Sequence, residues 1–177
     1  MERLDELITH LEDEMEIATQ EWVKKLQSVN ANSAENTKVI KIIQETVIRN
    51  PDTHVVITFL RSSTVTGSHE FKLSVYNDEA FVDKPIYQAF LDIKSLFAEA
   101  PNYAERIIKK LSPPFVHILP SEKEEIKRVF ITKLYQQSYH FFEQIVKEMM
   151  IDDQQHDQQM NIYFSGVMGG LLPLGAR

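Results

Sequence analysis

The runs His54-Val55-Val56-Ile57-Thr58-Phe59-Leu60 and Phe71-Lys72-Leu73-Ser74-Val75-Tyr76 decide the fold class. The first is dominated by β-branched and aromatic residues, and the second alternates apolar with polar positions; both patterns fit a pleated, half-buried surface. Between them Arg61 to Ser68 is polar with one glycine, so the pair predicts a β-hairpin with a long connection. Asn77-Asp78-Glu79 then reads as a turn and Ala80-Phe81-Val82 as a short third strand, giving a small antiparallel sheet over about residues 54–82.

Outward from the sheet, helical spacing takes over on both sides. Leu4, Leu7, Leu11, Met15, Ala18, Trp22 and Leu26 recur at steps of three and four, which predicts one amphipathic helix over about residues 2–29. Asn32 or Ser33 is placed to cap a second helix with the stripe Val39, Ile40, Ile43 and Val47. Asn50-Pro51 stops that helix, because the residue before a proline is pushed out of the α region. Two helices so closely linked are expected to pack as an antiparallel pair. On the other side, Ile86, Phe90, Ile93 and Phe97 share a helical face, with a strand as the competing reading of the first half; a short helix follows Pro101. Ser121 with Glu124 resembles a capping box, opening a long helix over about residues 121–150 whose apolar face includes Phe130, Leu134, Tyr135, Phe141 and Phe142. A polar linker (about 152–160) leads to an apolar tail, 161–177. The whole reads as one α+β domain, 1–177.

Composition narrows the chemistry. The chain has no Cys, which removes thiol nucleophiles, iron–sulfur clusters and cysteine zinc sites, and fits a reducing, cytoplasmic compartment. The opening Met1-Glu2-Arg3-Leu4-Asp5-Glu6 lacks a basic and then apolar leader, so no secretory signal is expected. The longest uncharged run, Gln158 to Ala176, is diluted by Asn161, Ser165, Pro173 and four glycines, so no membrane span is expected. Residues 1–16 hold seven acids against Arg3, a net −6 of the −7 carried by all 177 residues. Such a field repels phosphate backbones, so nucleic acid is not expected as a partner, whereas a protein with a basic surface is.

Four groups of residues bear on function. Glu12, Asp13, Glu14 and Glu16 form the densest acidic stretch and are the candidate partner-binding set. Glu6, His10 and Glu14 stand at i, i+4 and i+8, a row that can begin a divalent-metal site in a helical bundle. Tyr135 and Tyr139, one turn apart, can place hydroxyls at the rim of an aromatic cleft. Ser62, Ser63, Thr64, Thr66, Ser68 and His69 crowd the hairpin connection, but no Gly-x-Ser-x-Gly elbow accompanies them, and a polar loop is the simpler reading. Asp78, Glu79, Asp83 and Asp92 are explained by turns and caps, and the Gly166–Gly170 stretch lacks the order of a phosphate-binding loop. The apolar tail is costly to leave in water; it should dock on its own domain or on a second copy, forming a homodimer. The expected function is therefore a small acidic protein-binding or regulatory domain without catalysis or cofactor. An immunity-protein or antitoxin-like role is one concrete version. The alternatives are a metal-dependent hydrolase built on Glu6 and His10, and a small-ligand sensor built on Tyr135 and Tyr139.

Overall fold

The computed structural model describes residues 2–28, 34–50, 53–60, 62–77, 84–111, 115, 117–152, 161–166 and 170–174. In chain order these form α1 (Glu2–His10), α2 (Glu12–Ser28), α3 (Ala34–Arg49), β1 (His54–Phe59), the single turn α4 (Ser63–Thr66) and β2 (Glu70–Tyr76). After them come β3 (Tyr87–Asp92), a 3-10 turn (Lys94–Phe97), α5 (Ala100–Lys109), α6 (Pro120–Gln137), α7 (Tyr139–Asp152), β4 (Asn161–Ser165) and β5 (Leu171–Leu174). The protein is α+β, with a five-stranded open sheet of order β3-β2-β1-β4-β5. Three of the four pairings are antiparallel, and β1 with β4 is parallel.

Side-chain alternation sorts the sheet into two faces. Val55, Ile57 and Phe59 on β1, Phe71, Leu73 and Val75 on β2, Leu91 on β3, and Ile162 and Phe164 on β4 join the helical residues in one core. The opposite face carries His54, Val56, Thr58, Lys72, Ser74, Gln88, Phe90 and Tyr163. On the core side, α2 packs against α5, α6 and α7, while α3 packs against α7 and β3. The N-terminal helices thus share α7 as a support, and the expected α2–α3 pairing is not a principal contact. Trp22 anchors this layer: its ring meets Phe97 at 5.3 Å between centroids, and its Nε1–H donates to the Leu96 carbonyl at 3.0 Å.

Several expected boundaries move for identifiable reasons. The helix predicted over 2–29 is broken at Leu11, whose N–H is shared between the carbonyls of Leu7 (3.2 Å) and Ile8 (3.1 Å). The long helix over 121–150 is two helices meeting at buried Ser138. Its hydroxyl bonds back to the Leu134 carbonyl at 3.2 Å, a local bond that competes with the helical ladder and bends helices. The first of these helices starts earlier than the Ser121 box implied: Pro120 opens it, and Glu122 Oε2 accepts the Leu119 N–H at 2.7 Å.

The β1–β2 hairpin forms as expected, with α4 inserted in its connection. The strand expected at 80–82 lies outside the described residues, as do most of the 152–160 linker and the 32–33 cap. The third described strand is β3, where the helical face through Ile86 and Phe90 was expected. The period of two wins there, because Ala89 and Leu91 turn inward while Gln88, Phe90 and Asp92 are exposed. The tail docks on the sheet of its own chain as β4 and β5, so the sheet extends well beyond 54–82.

Candidate functional site

The acids of α1 and α2 fall into two sets according to which side of the helix they occupy. Toward α5, Glu14 pairs with Lys110 at 3.3 Å and Glu21 with Arg106 at 2.7 Å, while Lys25 pairs with Glu99. These contacts tie the two helices together. Toward solvent, Asp5, Glu6, Glu12, Asp13 and Glu16 are exposed, and among the described residues none of them has a cationic partner. Glu12 and Asp13 also sit in the first turn of α2, where negative charge complements the helix dipole. Ile17, one turn beyond Asp13, is 51% exposed and adds an apolar point beside the acids. Of the four acids predicted to bind a partner, Glu12, Asp13 and Glu16 therefore share the open face, and Glu14 is engaged elsewhere.

The metal row does not assemble further. His10 closes α1 with its ring edge-on to Phe115, at 5.4 Å between centroids, and Glu14 is held by Lys110. Among the described residues, no group of three His, Asp or Glu side chains is placed to hold a metal ion.

Tyr135 and Tyr139 part company across the α6–α7 junction. Tyr135 is fully buried, stacked on Phe59 with ring centroids 5.2 Å apart. Tyr139 is partly exposed, with its hydroxyl between the Glu143 carboxylate (3.4 Å) and the Pro173 carbonyl (3.2 Å). They do not line a common cleft. Tyr135 instead completes a polar cluster with the hairpin connection. Its Oη lies 2.8 Å from His69 Nδ1, with the Ser63 hydroxyl beside it. Ser63 Oγ accepts the Glu70 N–H at 3.1 Å and lies 3.0 Å from Ser68 Oγ.

Burial raises the Tyr135 hydroxyl well above its ordinary range, so it stays protonated. Burial also lowers the pKa of His69, and the charge of Lys94 lowers it further. The His69 ring lies flat on Phe97, at 4.7 Å and 3°. This cluster holds a serine, a histidine and a tyrosine, yet Ser63 is fully buried with its oxygen already engaged, so it presents no nucleophile to a substrate. It is a satisfied polar insert in an aromatic core. The sequence marks Ser63 and His69 together in the hairpin connection and Tyr135 apart from them, and only the register of α6 against that connection brings the three together.

Of the carboxylates assigned to turns and caps, Asp78, Glu79 and Asp83 lie outside the described residues, and Asp92 Oδ1 accepts the Lys94 N–H at 3.2 Å. Among the described residues, no helix is long and apolar enough to cross a membrane. The chain matches no known family model, no curated protein and no solved structure.

Proposed function

We propose that the protein is a non-catalytic binding module that receives the basic surface of a protein partner on the outer face of α1 and α2. The observation that carries this reading is the row of exposed acids that have no ion-pair partner among the described residues, Asp5, Glu6, Glu12, Asp13 and Glu16, beside solvent-exposed Ile17. Opposed charge steers encounter and sets register, while a central apolar side chain supplies the contact that expels water. An inhibitor that masks a basic active site, as immunity proteins and antitoxins do, is the concrete version of this role in the cytoplasm. The hydrolase and sensor alternatives have less support: Glu14 is paired with Lys110, and Tyr135 is sealed in the core.

The test uses the full chain immobilised as bait against an extract of its own source, with elution at rising salt, then titration of the purified captured protein. The expected result is a basic partner whose affinity falls steeply with ionic strength. Replacing Glu12, Asp13, Glu14 and Glu16 together by Ala should lower that affinity at least tenfold and flatten its salt dependence. Unchanged affinity and salt slope in the folded variant would overturn the proposal.

A further inference from the structure

Between β1 and β2 the chain makes a detour over residues 62–69, which carries the single turn α4. Its backbone is under strain at the far end. Gly67 at φ +65° and His69 at φ +51° are both left-handed, a conformation that suits the glycine and costs energy in the histidine. Val65, near the tip, is 77% exposed. A strained and protruding connection stays closed only while the body of the molecule holds it.

The hold is at His69, the one titratable side chain between Ser62 and His69. Its Nδ1 meets the Tyr135 hydroxyl of α6, and its ring lies flat on Phe97 of the 3-10 turn. From the 3-10 turn it faces the Lys94 ammonium, and from α6 the neutral Tyr135 hydroxyl. Glu70 follows it in the chain, and Asp92, opposite Glu70 in the sheet, is turned to the Lys94 N–H. The charge that acts on the ring is that of Lys94, which has the same sign as an imidazolium. With the ring hydrogen on Nε2, the Tyr135 hydroxyl donates to Nδ1. A second proton goes on Nδ1 itself, which reverses that bond and leaves a cation half out of water beside a lysine.

We propose that residues 62–69 form an acid-released strap: a proton on His69 lets them leave α6 while the helices and the sheet stay folded. Opening relieves the backbone at His69, carries the new charge into water, and bares the Tyr135 hydroxyl and the face of Phe97. Because the folded ring titrates below its ordinary 6.5, the strap is fully held above that value and is released as pH falls from it. The strap lies on different elements from the acidic face of α1 and α2, so either reading can fail alone.

Amide exchange of the full chain, followed by NMR from about pH 7.5 to 5.5 and corrected for the intrinsic rate, tests the strap. The Ser63 N–H, bonded to the Leu60 carbonyl at 2.8 Å, and the Glu70 N–H, bonded to Ser63 Oγ at 3.1 Å, are its reporters. Fully buried Ile57 in the central strand β1 reports on the body of the molecule. Protection at Ser63 and Glu70 should fall about tenfold for each unit by which the folded ring titrates below the open one. At the acid end it should be indifferent to low urea that already speeds exchange at Ile57, since local opening exposes little surface. His69→Asn, which tolerates the left-handed backbone and does not titrate, should abolish the fall. Lys94→Gln should raise the midpoint of the His69 ring-proton titration and shrink the fall by the same factor. Lys94 is exposed, so this variant decides the matter even if His69→Asn folds poorly. A fall that persists in His69→Asn or is unchanged in Lys94→Gln would overturn the proposal. So would a urea dependence at Ser63 and Glu70 as steep as at Ile57, which would mean that the strap opens only with the whole molecule.

Discussion

His69 occupies backbone at φ +51°, in the left-handed region that a residue with a Cβ adopts at a cost of about 1–3 kcal/mol. The ring stack on Phe97 and the bond to Tyr135 hold it there, and both suit the neutral imidazole in its half-buried place beside Lys94. Because the folded-state pKa lies below the ordinary 6.5, the unfolded chain takes up the proton first on acidification. The contribution is therefore complete above that value and is lost as pH falls from it through the folded-state pKa. Urea unfolding between about pH 7.5 and 5.5 should show a drop in wild-type stability that is smaller in His69→Asn, since Asn tolerates the same backbone but does not titrate. Equal drops in the two proteins would show that other groups govern this range. Ser63, His69 and Tyr135 were each visible in the sequence as a hydroxyl, a histidine or a core aromatic. Their meeting was not, because it joins side chains 66 positions apart and depends on how α6 is rotated against the sheet.

At the scale of elements, the periodicity of apolar residues carried most of the information. The stripe Leu7, Leu11, Met15, Trp22 and Leu26 is buried along its length, as its spacing requires. What spacing could not reveal were the interruptions at Leu11 and Ser138, since each arises from a shared or side-chain hydrogen bond while the apolar face continues past it. The 86–97 segment satisfied two periods at once, and sheet pairing with β2 decided between them. Trp22 is where helix and 3-10 turn are locked together. Replacing it by Phe keeps a ring in the core but strands the Leu96 carbonyl and leaves a void. Urea denaturation should register a loss of about 2–4 kcal/mol with an unchanged m-value. A loss below about 0.5 kcal/mol would mean that the site relaxes and the hydrogen bond carries little.

For the whole molecule, the order of strands in the sheet is the least local property and was the least legible. The sequence marked 54–60, 71–76 and the apolar tail as segments to be buried, but nothing nearby specifies that Ile162 and Phe164 lie beside Val55 and Ile57. Deleting residues 161–177 should therefore do more than trim an end. It removes β5 and the β4 strand that completes β1, and empties the places of three core residues, Ile162, Phe164 and Leu174, so cooperative thermal unfolding should disappear while helical circular dichroism partly persists. A sharp transition in the truncated chain would show that the remaining three strands and helices suffice. The same strand order sets a timetable for biosynthesis. β1 leaves the ribosome roughly 100 residues before the segment that becomes its parallel neighbour, and at about 5–20 residues per second that is an interval of roughly 5–20 s. Every nascent copy spends that interval with Val55, Ile57 and Phe59 flanked on one side only, which leaves one border of this strand open to mispairing until β4 has been made.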